Sequence, residues 1–311
     1  MLNINKKSVI EITMTIIMAV VMVGTSEILS EREIIFPEIM ALAVGSFIAP
    51  SFAWNVSKLK MLVMISLCAV IGVLIVIFLP VTLWLQISLA FFIVQIIYLY
   101  SRTTFAPVIS AMVLPVLLQT KSIVYPIAAV VLTALIVLVL LLLEKTGVRE
   151  KKEYTPLPMP AKKEFADMLI RVGCVLVLAF AAVKTDMKFC IAPPLLVAFT
   201  EFTRRECKAR KRPAAAVITV TACALAGAVC RMVFNMYFGL PLTVVAFVAV
   251  CMTLCIIYFT KLYLPPAGAM TILAMLIPED RVILYSLQVF IGISVLMVLV
   301  LVLFRNDKSC Y

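Results

Sequence analysis

The chain alternates two kinds of apolar run, and this alternation limits its fold more than any other feature. Eight runs are long enough to cross a bilayer as helices: 9–29, 61–79, 81–100, 123–143, 165–183, 214–234, 240–259 and 282–304. A hydrocarbon core about 30 Å thick needs about 20 residues at 1.5 Å each. Four further apolar segments are too short or, as in 34–53 with Pro37 and Pro50, broken by proline, and each carries proline near its opening. They are 34–53 with Pro37, 104–119 with Pro107, 189–202 with Pro193 and Pro194, and 264–277 with Pro265 and Pro266. Proline suits the first turn of a helix, where its missing N–H would be unpaired anyway. From Pro266 to Ile277 there is enough chain for about 18 Å of helix. The short segments therefore read as broken helices at membrane depth, approached by non-helical backbone. Such backbone survives there only when buried in protein or lining a wet cavity.

Composition agrees with an all-α polytopic membrane protein: 65% of the 311 residues are hydrophobic and 14% charged. Soluble domains carry about 45–50% apolar and about 25% charged residues. The net charge of +11 would suggest nucleic acid in a soluble chain, but here the cations fall in loops, where they set topology. If all twelve segments cross, one side collects Lys6, Lys7, Lys58, Lys60, Arg102, the lysines of 144–164, the cluster 204–212, Lys261, Arg305 and Lys308. The other side keeps Arg32, Lys121, Lys184, Lys188 and Arg281. Re-entrant short segments would move 204–212 and Lys58/Lys60 to the wrong side. We expect twelve crossings, both termini cytoplasmic and a bacterial cytoplasmic membrane. The end of the first run, SEILSERE, lacks the small-residue pattern of a signal-peptidase site, so that helix is expected to be retained.

The pattern runs twice. Residues 1–143 form one membrane repeat, 144–164 a charged, proline-rich cytoplasmic linker, and 165–311 a second repeat. Arg102–Pro107 and Lys261–Pro266 occupy the same place in each half, as do Pro37 and Pro193. Even-numbered halves are parallel, related by a pseudo-twofold axis along the membrane normal. Within each half the second and fifth segments are the short ones, as a three-plus-three inverted repeat would give.

The chain contains no histidine, which excludes histidine catalysis, ligation and proton relay. No span carries paired carboxylates, so we expect no enzyme, no cofactor and no metal; Cys251 and Cys255 share a helix face but make a poor metal site alone. Intramembrane polar groups are few: Glu38, Ser46, Asn55, Gln86, Gln95, Ser110, Glu201, Arg231, Asn235, Thr271 and Gln288. Arg231 is expected to snorkel outward and Glu201 to pair with Arg204 or Arg205. Glu38, just after Pro37, suits the positive end of its helix dipole. Broken-helix N-termini that converge near mid-membrane favour a small anion. We therefore expect Pro37, Gly45, Ser46, Pro107, Ser110, Pro193, Pro194, Pro265, Pro266, Gly268 and Thr271 to face one central substrate site, with Gly268 the tightest. The partners expected are a small-molecule or ion substrate, the lipid bilayer and a second copy in a homo-oligomer, with no nucleic acid. The competing expectation is a scaffold or sensor that works through its basic loops.

Leu264-Pro265-Pro266-Ala267-Gly268-Ala269, followed by Met270-Thr271 and a last spanning helix, resembles the signature of the HPP family of integral membrane proteins. The resemblance is close over about 264–277 and extends in segment layout over about 189–304, with the first half a more distant copy. Leu264 stands where the family's histidine would be. The resemblance implies a small multi-span membrane protein and, from a plastid member of the family, a nitrite-like substrate.

Overall fold

The structure is a computed structural model that describes residues 6–204 and 207–304, the side chain of Lys208 excepted. Arg305, Lys308 and residues 205–206 of the basic cluster lie outside the described residues. Regular structure is all helical, with no strand among the described residues. Eight helices are long and apolar enough to cross a membrane, which makes this a multi-pass membrane protein. They are α1 (Lys6–Leu29), α3 (Lys58–Phe78), α4 (Leu83–Tyr100), α6 (Val124–Lys145), α7 (Lys162–Lys184), α10 (Pro213–Cys230, continued by wider turns to Tyr237), α11 (Leu242–Thr260) and α13 (Val282–Leu303). The short helices are α2 (Glu38–Ala43, continued by a π-helical turn Val44–Ile48), α5 (Val108–Leu118), α8 (Pro193–Phe202) and α12 (Pro265–Leu273). A single extra turn, α9 (Lys208–Lys211), precedes α10.

Helix ends follow from local chemistry. Ser57 caps α3 by accepting from the Lys60 N–H, and Glu164 reaches back to the Ala161 N–H at the start of α7. Ser30, Arg102, Gln119, Asp186 and Lys261 take left-handed backbone with φ of 53–57° just after α1, α4, α5, α7 and α11. That conformation halts a helix and turns the chain. Polar side chains fill it here, in a chain with 9 glycines.

Contacts between helix ends sort them onto two faces. On the basic face, Lys7 Nζ donates to Gly147 O (2.8 Å), Lys58 pairs with Glu144 (2.8 Å) and Lys60 Nζ donates to Ser101 O (3.1 Å). Arg149 donates to Ala49 O (2.8 Å), Arg210 to Phe304 O and Arg212 to Thr260 O (3.3 Å). The starts of α1, α3 and α10 thus lie with the ends of the α2 π turn, α4, α6, α11 and α13. On the opposite face, Gln119 at the end of α5 donates to Gln86 at the start of α4 (2.6 Å). Glu27 at the end of α1 accepts from the first N–H groups of α11, and Arg281 pairs with Asp186 beyond α7. Each short helix therefore carries the chain from one face to the other, with 3-10 turns and irregular backbone making up the missing length.

The short helices form the centre. α2 packs on α12 and α5 on α8, while α3 and α10 flank α5 and α12. All of α8 and α12 is buried, and so is α5 up to Leu117. The long helices expose apolar stripes outward, such as Val63, Leu67, Val70 and Leu74 of α3, at the spacing of one helical face turned to lipid. Residues 146–161 do not float as a free linker. Asn55 donates to Thr155 O (2.5 Å), Lys60 to Tyr154 OH (2.9 Å) and Arg102 to Leu157 O (2.5 Å), which straps the segment across the basic face.

Close approach of backbones depends on three glycines; a Cβ at Gly292 of α13 would sit 2.1 Å from Cys190 O. A Cβ at Gly72 of α3 would sit 2.4 Å from Met112 O, and one at Gly227 of α10 would sit 2.3 Å from Thr271 O. Nothing lies within 4 Å of a Cβ at Gly173. We predict that Gly72→Ala and Gly227→Ala each destabilise by about 1–3 kcal/mol through overpacking. Gly173→Ala should stabilise by about 0.5–1 kcal/mol, since alanine suits a helix interior better. Thermal unfolding in detergent checks this; equal midpoints for all three would contradict the packing described.

Candidate functional site

The N-terminal turns of three short helices meet in the core. Glu38 opens α2, is 1% exposed, and accepts from the hydroxyl of Ser110, the third residue of α5. Its second oxygen, Oε2, has no hydrogen-bond partner among the described residues. A Cβ at Gly268 of α12 would lie 3.2 Å from Met40 O of α2, so those two turns touch directly. α8 lies against α5 and α12. Its approach is fixed by Phe189, whose N–H donates to Gln288 (3.0 Å) and whose ring meets Tyr285 edge-on. Tyr285 in turn donates to Met270 O of α12 (2.7 Å).

Recesses enter from both faces. On the basic face a vestibule of about 920 Å³ is lined by Lys7, Glu11, Lys58, Glu144, Arg149 and Tyr154 among others. Its lining includes Ser46, which is fully buried with its hydroxyl unpartnered. Ser46 belongs to the π-helical turn of α2, a deviation that loosens a helix and is often found at functional places. On the opposite face a recess of about 380 Å³ is lined by Asp186, Lys188, Phe189, Arg281 and Gln288. The packed short helices separate the two.

The eleven residues expected at the site divide. Pro37, Ser110 and Gly268 lie at the meeting of α2, α5 and α12, while Pro107, Pro193, Pro194, Pro265 and Pro266 open their helices in buried surroundings. Thr271 is committed to packing: its hydroxyl bonds Thr253 (2.5 Å) and donates to Cys223 O (3.0 Å). Of the set, Ser46 alone lines either recess. Gly268 is not the tightest of them. A Cβ at Gly45 would sit 2.3 Å from the Trp54 ring, because the chain folds back after the π turn and lays the indole over that glycine.

Arg231 does not snorkel. It is 3% exposed and donates to Ala274 O (2.6 Å) and Ile277 O, closing the C-terminal end of α12. Glu201 accepts from the Trp54 indole (2.9 Å); the expected ion pair with Arg204 is not formed among the described residues, and Arg205, the other expected partner, lies outside them. One buried cluster escaped the sequence reading. Arg171 of α7 donates to Gln95 of α4 (3.1 Å) and Thr203 (3.2 Å), and Gln95 donates to Thr200 of α8 (2.8 Å). An arginine in the middle of an apolar run was the available signal.

No protein-family model matches the chain, and neither does any curated protein or solved structure.

The Arg171–Gln95 bond joins two helices far apart in sequence, so its energy is measurable as coupling. In a double-mutant cycle of Arg171→Met and Gln95→Leu, thermal unfolding in detergent should give a coupling of about 0.5–3 kcal/mol. Strict additivity would show that the cluster carries no interaction energy.

Proposed function

We propose that the protein is a membrane transporter for a small polar solute, with anions the first class to test. Its path runs between the two recesses through the short-helix core. The observation that carries this reading is the pair of recesses on opposite faces, divided by buried helices that leave polar oxygens of Glu38 and Ser46 unpartnered. A purely structural core has no use for uncompensated polar atoms, which cost free energy when buried.

The reading includes a duplication of the 1–143 and 165–311 halves, supported by contacts that recur at matching places. Left-handed caps fall at Ser30 and Asp186, then at Arg102 and Lys261. Phe36 meets Tyr125 edge-on as Phe189 meets Tyr285. Tyr125 donates to Ala111 O of α5 as Tyr285 donates to Met270 O of α12. Gly72 lies against α5 as Gly227 lies against α12. The halves also exchange partners evenly, α1 on α11 and α4 on α7. Two like halves around a central site are the usual basis of alternating access.

The side of each face follows from charge. Lys7, Lys58, Lys60, Arg149, Arg210 and Arg212 gather where the strap crosses, so we place this face in the cytoplasm by the positive-inside bias. The vestibule holds Lys7, Lys58, Arg149, Lys151 and Lys152 against Glu11, Glu144, Glu150 and Glu153, a mixed lining that admits polar solutes. The positive ends of α5 and α12 favour an anion deeper in. The resemblance of Leu264–Ala269 to the HPP family, with which we propose kinship, points to a nitrite-like ion. A strapped linker offers less free surface to a soluble partner than the scaffold reading needs.

Reconstituted liposomes should take up at least one of nitrite, nitrate, formate or bicarbonate with saturation and only when the protein is present. Folded protein that moves none of them, nor small neutral polar solutes, would contradict a transport role.

A further inference from the structure

Glu38 is the one carboxyl in the short-helix core whose chemistry the packing leaves unfinished. One oxygen accepts from Ser110 and the other has no partner. The positive charge around it is the partial charge of the helix N-termini; no side chain of the elements packed on it supplies a counter-ion, and Lys6 and Lys7 of α1 lie at the basic face. α12 and α5 contain no ionisable side chain along Pro265–Leu273 and Val108–Leu118. On α1, Glu11 is occupied with Arg149 at the basic face and Glu27 with α11 at the other. On α6 the titratable neighbour is Tyr125, whose hydroxyl is committed to Ala111 O, and behind it α3 contributes Cys68. No described cation lies within ion-pair distance of Glu38.

We infer that Glu38 is a proton-binding site, holding its proton in the closed core and releasing it when that core opens to water. The inference rests on the transport reading and adds the coupling ion to it. A carboxylate sealed in apolar surroundings, with one neutral hydroxyl donor and no cation beside it, takes up a proton rather than stay charged. When α2 parts from α12, the neutral acid gives its proton to an entering water, leaving a carboxylate and a hydronium ion; closure reverses the step. The route for water follows α2 itself. Ser46, the other unpartnered oxygen on α2 and its π turn, lies eight residues along, about 12 Å by helical rise, and lines the vestibule. The intervening π turn lets that end of α2 change register. A neutral Glu38 also tolerates an anion beside it where a carboxylate would repel one, so solute and proton would travel together.

Other readings of Glu38 predict a different charge. If the side chain only stabilises the α2 N-terminus, it works as a carboxylate, and its neutral mimic should weaken the fold.

The test is infrared spectroscopy of the full chain in lipid, titrated through neutral pH, with melting temperatures of the same samples. The wild type should show a protonated carboxyl at neutral pH that Glu38→Gln removes and Glu201→Gln leaves in place. Glu38→Gln should melt with the wild type, because the amide copies the neutral acid. Absence of a protonated carboxyl assignable to Glu38, or a clear drop in the melting temperature of Glu38→Gln, would overturn the proposal. The spectrum reads Glu38 whether or not any solute crosses, so this inference and the transport reading fail separately.

Discussion

Helices of about ten residues leave polar backbone inside the membrane, and the rest of the structure is arranged to satisfy it. No water reaches a helix end in hydrocarbon, so each free N–H or C=O must find protein or a wet cavity. Tyr125 and Tyr285 donate to carbonyls of α5 and α12, and Arg231 closes the last turns of α12. Gln288 receives the Phe189 N–H on the way into α8, and the Thr120 N–H turns back to Pro115 O after α5. Each such group left unpaired would cost about 1–3 kcal/mol. Satisfying them demands that long helices stand close to short ones and to the turns that lead into them, which is why glycine occupies residues 72, 227 and 292.

The two halves are held together by polar bonds as well as by apolar contact. Glu27 of the first half caps α11 of the second. Gln95 joins Arg171, and Trp54 joins Glu201. These bonds fix the halves near the faces, while at the centre α2 and α12 touch through a glycine with no polar bond at that contact. The seam is thus apolar where Glu38 sits, and polar where the loops meet. A molecule built this way can part locally in its core without losing its outer frame.

Much of this was legible in the sequence. The run 61–79 became Lys58–Phe78, and the proline-opened runs became short helices that reach both faces. Apolar length and proline position carry that information directly. The fate of the polar residues was not legible. Thr271 was expected at the substrate site, Arg231 was expected to snorkel, and Gln86 and Gln288 stood out only as polar groups at membrane depth, yet each is used to hold backbone or a neighbouring side chain. Their partners lie up to 99 residues away in sequence, and no periodicity announces a carbonyl that needs a donor. Glu38 and Ser46 are distinguished by an unpartnered oxygen in or beside the short-helix core, whereas Arg231, whose Nε is also unpartnered, still donates to two carbonyls through its other nitrogens. Gly45 was underrated because the side chain that covers it, Trp54, comes from a loop whose path no local pattern sets.

The central claim is that the α2–α12 seam must open for a solute to pass. A disulfide tests it most directly, since a Cβ at residue 268 would lie 3.2 Å from Val44 Cγ2. The pair Val44→Cys and Gly268→Cys, in a chain freed of its nine native cysteines, should oxidise readily. Solute uptake should stop on oxidation and return on reduction. Uptake that continues unchanged through a fully formed cross-link would contradict the account.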